Sequence, residues 1–240
     1  MKIKKIIYLV GSPRSGSTLI YNAICSSKLF NPGLPENHLV PNLVKYFLQQ
    51  LARNKKERNL FFSDNDDTLK YFRECINIYH DKISLKYKTD NLILKSIVFS
   101  SYIDAMNILL PKTKYIMIIR DPKDIVTSML KISEKQINQN TKPQYPRNMK
   151  ILSNFINENY RVLFNSNCSH FVKESLFIIK YEDFIDNNIE ILNRVCKYLE
   201  LDYSFKKNDN IWDYSLNISS DKKNFYKSDL WEKPISNKKI

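Results

Sequence analysis

Five consecutive apolar residues, Ile6-Ile-Tyr-Leu-Val10, run directly into Gly11-Ser-Pro-Arg-Ser-Gly-Ser-Thr18. An apolar helical face follows at Leu19, Ile20, Ala23 and Ile24. An unbroken apolar run bounded by a turn is the pattern of a strand buried on both faces, as in the centre of a parallel sheet. A buried strand, a tight turn and a helix start in immediate succession point to an α/β chain. The glycines sharpen this reading. The 240 residues contain only Gly11, Gly16 and Gly33, and two of them fall in this one loop. Glycine is used where the backbone must turn sharply or approach another group closely.

The alternation continues along the chain. Asn31-Pro-Gly-Leu-Pro35 has loop chemistry, and a helix is expected over Leu39–Arg53. The charged, Asn/Asp-rich stretch 54–67 reads as an exposed loop before an amphipathic helix over Thr68–Lys86. A short strand at Asn91–Leu94 precedes a helix over Ser100–Leu110 that Pro111 closes. A second strongly apolar strand, Lys114–Ile119, leads into Arg120-Asp-Pro-Lys-Asp124 and a helix through Lys131. The polar segment Ser133–Arg147 carries two prolines and reads as a mobile lid or substrate loop. A helix over Asn148–Asn165, a strand at Leu176–Lys180 and a helix over Ile189–Leu199 complete the pattern. Strands that are apolar throughout and alternate with helices predict a parallel sheet covered on both faces. A single domain spanning 1–240 is expected, with its core at about 5–201 and a polar, aromatic tail from 202 to 240.

Lys and Arg number 38 against 25 Asp and Glu, a net charge of +13, which fits an anionic partner. Nucleic acid, a membrane surface and a multiply charged nucleotide all satisfy that balance. The lysines are spread along the chain with no run longer than two and no RNA- or DNA-binding motif, which disfavours nucleic acid. Cys25, Cys75, Cys168 and Cys196 lie far apart, so neither a zinc motif nor a disulfide framework is expected. The N-terminus imitates a signal peptide, but its apolar run ends at Gly11 and no cleavage pattern follows. No stretch reaches the length of a membrane span, and a cytoplasmic protein is expected.

A glycine-bearing turn between a strand and a helix start is an anion-binding device, because free backbone N–H groups and the helix dipole face the same point. Here Arg14, Ser15, Ser17 and Thr18 add charged and hydroxyl donors around Gly16. Gly11 and Gly16 have the spacing of an ATP-binding P-loop, but Ser17 stands where that loop requires lysine. The expected fold is therefore a P-loop-like three-layer α/β domain, a central parallel sheet flanked by helices, whose loop is not built for ATP.

The Arg14-Ser-Gly-Ser-Thr18 loop resembles the phosphosulfate-binding loop of the sulfotransferase superfamily. A second signature of that family is matched by Tyr115-Ile-Met-Ile-Ile-Arg-Asp-Pro-Lys-Asp-Ile-Val-Thr-Ser128. The resemblance is to bacterial and tyrosylprotein members in particular, and runs in order from Ile6 to about Leu201. It implies that the co-substrate is 3′-phosphoadenosine 5′-phosphosulfate (PAPS), with no metal. It also implies that Arg14, Ser17 and Thr18 hold the 5′-phosphosulfate while Arg120 and Ser128 hold the 3′-phosphate. Arg120 leaves the C-terminal end of a strand, where open α/β sheets bind ligands, and Ser128 lies about two helical turns further on. A helix-start turn with Arg120 in a salt bridge is the plainer alternative.

A third match, Ile179-Lys-Tyr-Glu-Asp-Phe184, implies a nucleotide contact for Tyr181, with simple core packing as the alternative. Glu36, twenty-two residues past Arg14, corresponds to a family catalytic glutamate and is the candidate general base; a helix-capping role competes with it, and His38 is a rival base. Lys95 at a strand end resembles a family lysine that contacts the transferring sulfuryl group, although the proline that follows that lysine by two residues is replaced by Ile97. Ser220 and Lys222 in the tail are candidates for covering the nucleotide, without the usual signature. The resemblance thus implies sulfuryl transfer to a hydroxyl or amine of a carbohydrate, peptide, lipid or small alcohol. The competing readings are a P-loop nucleotide kinase and a non-enzymatic basic module for polyanions or nucleic acid.

Overall fold

The computed structural model describes residues 3–164 and 174–206. Their strands are β1 (Lys5–Gly11), β2 (Asn91–Lys95), β3 (Lys114–Ile119) and β4 (Leu176–Lys180), all parallel and ordered β2-β1-β3-β4. The helices are α1 (Ser17–Cys25), α2 (Leu39–Ala52), α3 (Lys55–Arg58), α4 (Asn65–Tyr87), α5 (Ile103–Leu109), α6 (Pro122–Asn138), α7 (Met149–Phe164), α8 (Tyr181–Asp186) and α9 (Asn188–Tyr198). A 3₁₀ turn over Ile97–Tyr102 leads into α5.

Alternation of side chains along each strand sorts the core into two layers. Tyr8, Val10, Leu92, Leu94, Tyr115 and Met117 pack with α2, α4, α5, α6 and α7. Ile7, Leu9, Ile93, Ile116 and Ile118 pack with α1, α8 and α9. The three-layer architecture expected from the apolar runs is the one observed.

Register brings the strand ends level. Leu9 lies opposite Lys95, Gly11 opposite Ile118, and Ile119 opposite Lys180. From β1 the chain crosses first to β2 on one side and later to β3 on the other. The crevice between β1 and β3 is therefore the switch point at which sheets of this kind bind ligands. The outer edge of β2 is covered by the loop after α1. Ile93 N–H donates to Asn31 Oδ1 at 2.8 Å and Asn37 N–H to the Lys95 carbonyl at 2.8 Å. These bonds satisfy an exposed edge and carry Glu36 to the C-terminal rim of the sheet.

Two expectations change. Stretch 54–67 contains α3 and the start of α4, because its polar residues are helix caps: Asn54 Oδ1 accepts from Glu57 N–H and Asp64 Oδ1 from Asp67 N–H. Segment Ser133–Arg147 is not a free lid at its start, since α6 continues to Asn138. The helix stops where Asn140 adopts φ 54°, its N–H bonding Ile137 O while Thr141 N–H bonds Gln136 O. Asparagine performs there the helix-ending turn usually given to glycine. Lys88 and Glu200 do the same after α4 and α9, at φ 51° and 52°. Among the described residues Cys25, Cys75 and Cys196 are free thiols, and no helix is long and apolar enough to cross a membrane.

Beneath the sheet, His80 of α4 is fully buried and its Nε2 lies 2.7 Å from the Tyr8 hydroxyl. Burial pushes its pKa down to about 3. An unfolded histidine titrates near 6.5, so the unfolded state takes up a proton that the folded state refuses. Stability attributable to this site is complete above about pH 6.5 and declines as pH falls towards 3, by at most about 1.4 kcal/mol per pH unit. Urea unfolding should show a loss of about 2 kcal/mol between pH 6.5 and 5.0. His80→Gln should flatten that drop; an equal pH slope in the variant would assign it to other groups.

Candidate active site

The loop between β1 and α1 is built by close approach. Gly11 has φ 148°, and a Cβ on it would stand 2.7 Å from the Ile118 carbonyl of β3. Ser100 clamps the same glycine from the 3₁₀ turn. Its Oγ accepts from Gly11 N–H at 2.9 Å and donates to Gly11 O at 2.8 Å. Ser15 N–H then bonds Ser12 O, turning the chain, and Arg14 takes the left-handed conformation at φ 70°. Gly16 caps α1 at φ 90°, where a Cβ would lie 2.2 Å from Tyr181 Cδ2. No side chain caps α1 and no acidic residue sits in its first turn, so its leading N–H groups face outward without a competing anion.

Of the residues assigned to this loop, Ser15 and Ser17 are buried, while Arg14 and Thr18 are exposed. The two sequence signatures meet at Arg14. Its Nε–H donates to Ser128 Oγ on α6 at 3.1 Å, and Arg120 Nη1 reaches the Arg14 carbonyl at 3.5 Å. Arg120 also pairs with Asp124 at 3.1 Å and lies over the Tyr181 ring, 4.4 Å from its centroid. Its side chain is 9% exposed, and its Nε is sealed from solvent without a hydrogen-bond partner. A buried, unsatisfied guanidinium N–H beside a second arginine and a helix start is costly by itself and suits an anion.

Tyr181 is buried between Gly16 and Arg120, as the core-packing alternative expects, and its ring is a wall of the loop. Glu182 Oε1 accepts from Asp121 N–H at 3.3 Å, tying the start of α8 to the start of α6. Asp121 Oδ1 caps α6 through Lys123 N–H, and Pro122 occupies its first turn.

Across the loop, Lys95 leaves the end of β2 and its Nζ donates to Thr18 Oγ1 at 2.9 Å. A cation therefore arrives at the first turn of α1 from another strand, beside the position where Ser17 replaces a P-loop lysine. Burial lowers the Lys95 pKa and the Glu36 charge draws it back up. Glu36 Oε1 accepts from Ile97 N–H at 3.0 Å. The carboxylate thus caps a helix, but the 3₁₀ turn of a distant segment instead of α2. Asn37 caps α2, its Oδ1 taking the N–H groups of Leu39 and Val40. His38 is exposed at the start of α2 and makes no capping bond. Ser220 and Lys222 lie outside the described residues.

The structure therefore brings together Arg14, Ser15, Gly16, Ser17, Thr18, Lys95, Arg120, Ser128 and Tyr181, with Glu36 adjoining through Lys95. Sequence reasoning missed Ser100, Asn37, Asp124 and Glu182. Asp124 stood inside the quoted Arg120–Asp124 motif at helical spacing from the arginine. Ser100 gave no local signal, because its partner lies 89 residues away. Among the described residues no group of three or more His, Cys, Asp or Glu side chains is placed to hold a metal ion.

Solved structures similar to this chain include the sulfotransferase domain of the Synechococcus PCC 7002 olefin synthase, at 18% identity and a TM-score of 0.58, covering 95% of this chain and 84% of that one. The sulfotransferase domain from the curacin biosynthetic pathway matches at 17% identity and a TM-score of 0.54, over 85% and 76% of the two chains. A sulfotransferase from Mycobacterium avium matches at 11% identity and a TM-score of 0.52, over 90% and 68%. At these identities the likeness is one of fold. No curated protein matches the sequence. The sequence model described as the sulfotransferase family matches residues 7–205, and the chain belongs to that family.

Proposed function

We propose that the protein transfers a sulfuryl group from PAPS to a hydroxyl or amine acceptor. The observation that carries this reading is the junction at Arg14, where the loop of β1 and the strand end of β3 hold cationic groups around one crevice. Two such groups of donors suit a nucleotide with phosphates at both ends of its ribose better than they suit a triphosphate chain.

In this reading the N–H groups of the loop, with Arg14, Ser17 and Thr18, hold the 5′-phosphosulfate. Arg120 and Ser128 receive the 3′-phosphate, and Tyr181 fixes the Arg120 plane. Lys95 stabilises charge on the phosphate oxygen that departs. The acceptor oxygen or nitrogen attacks sulfur and forms the new bond to it; the bond from sulfur to the 5′-phosphate oxygen breaks, and 3′-phosphoadenosine 5′-phosphate (PAP) leaves. Glu36 takes the proton released by the acceptor. Sulfuryl transfer, like phosphoryl transfer, depends on in-line placement and charge stabilisation, which these groups supply. A P-loop kinase is the less fitting reading, because Ser17 is too short to reach the outer phosphates of ATP.

Calorimetric titration separates the two. PAP should bind with an affinity at least about 100-fold above that of ATP, the margin expected when charge-assisted hydrogen bonds go unmade. Absence of PAP binding, or a preference for ATP, would refute the reading. Glu36→Gln should keep PAP affinity within about threefold and lower turnover by about 10² or more. Full turnover in that variant would remove Glu36 from the role of base. Lys95→Ala should likewise reduce turnover more than PAP affinity, measured in the same assays.

A further inference from the structure

A continuous run of hydrogen bonds joins Glu36 to the anion loop. Glu36 Oε1 accepts from Ile97 N–H at 3.0 Å, and Ser100 Oγ donates to the carbonyl of the same isoleucine at 2.9 Å. The Ser100 hydroxyl also accepts from Gly11 N–H at 2.9 Å and reaches Gly11 O at 2.8 Å. Its single hydrogen is shared between the two carbonyls, and the residue is buried. Both polar groups of Ile97 and both of Gly11 are therefore engaged in the same short path.

Ile97 opens the 3₁₀ turn and Ser100 is its fourth residue. Turns of this kind have poor internal hydrogen-bond geometry and depend on what holds their ends. Ser96 precedes the turn but offers it no side-chain cap. Its hydroxyl donates instead to Asn37 O at 2.9 Å, and its N–H to Leu9 O at 2.9 Å. The cap comes from Glu36. The turn is thus fastened at its start to the segment bearing the candidate base, and in its middle to the last residue of β1. Glu36 spends one oxygen on this contact; Oε2 makes no hydrogen bond among the described residues, which leaves it for the acceptor proton.

We propose that Ser100 is a positioning residue that preorganises the anion loop, and that Glu36 supports it through Ile97, so that one carboxylate serves both nucleotide binding and proton removal. A loop already held in its binding conformation is not ordered at the ligand's expense. With the cap gone, the 3₁₀ turn frays, Ser100 loosens and Gly11 loses its clamp. Proton removal by Glu36 rests on the sulfuryl-transfer reading given above; the path to Gly11 does not.

Two substitutions at Glu36 separate its roles. Both remove the charge, but Glu36→Gln keeps an oxygen for Ile97 N–H and Glu36→Ala does not. Calorimetric titration should give Glu36→Ala a PAP affinity about 5- to 10-fold below that of Glu36→Gln. Ser100→Ala should lose at least as much, and adding Glu36→Ala to it should cost no more than about twofold further. Equal PAP affinity of the two Glu36 variants, or losses from Ser100→Ala and Glu36→Ala that multiply, would overturn the proposal. The two Glu36 variants alone decide it should Ser100→Ala prove too unstable to titrate. Without ligand, amide hydrogen exchange at Gly11 should quicken about 10-fold in Glu36→Ala and keep its wild-type rate in Glu36→Gln, with the amides of α9 unchanged in both. Gly11 exchange that is the same in both variants would also overturn it. If exchange responds as stated while the wild-type protein binds no PAP, the preorganised loop stands and the sulfuryl-transfer reading fails.

Discussion

The parallel pairing of β1 with β2 on one side and β3 on the other sets everything at the site. Because Leu9 is level with Lys95 and Gly11 with Ile118, three chain segments leave the sheet at nearly the same height. The approach at Gly11 is so close that a Cβ would strike the Ile118 carbonyl. Glycine there lets β1 end against β3, and the loop that follows then opens over the crevice. Ser100 fixes both polar groups of that glycine, making the 3₁₀ turn after β2 part of the loop's foundation. Moving the register by one residue would put Lys95 and Arg120 on the wrong level and reverse every core side chain.

Electrostatics is arranged around that frame. Arg14, Lys95 and Arg120 converge near one helix start, and each is held by oxygen atoms: Ser128, Thr18, and Asp124 with the Arg14 carbonyl, respectively. Converging cations repel one another, and Asp124 and Glu36 offset part of that repulsion. The cation that a P-loop draws from its own sequence is delivered here from the end of β2. That exchange moves the charge sideways, towards Glu36.

Much of this was legible in the sequence for identifiable reasons. Strands announce themselves as unbroken apolar runs, and the four among the described residues end within a residue of their expected bounds. The loop could be read because a chain with three glycines spends two of them there. What stayed hidden involves partners distant in the chain. Glu36 caps a turn 61 residues away, and Arg14 meets Ser128 across 114 residues. The end of α6 was misjudged because Asn140 takes the left-handed turn expected of glycine, so polar residues on the outer face of a helix passed for a loop.

In the proposed function, one end of the crevice is specific for a phosphate on the 3′ position. The direct measurement is the ratio of affinities for PAP and for adenosine 5′-phosphate, which lacks that group, in wild-type protein and in Arg120→Ala. The wild-type ratio should be about 100 or more and should fall to about 10 or below in the variant, with affinity for adenosine 5′-phosphate nearly unchanged. A ratio that survives the loss of Arg120, or a variant that loses both nucleotides equally, would contradict the account.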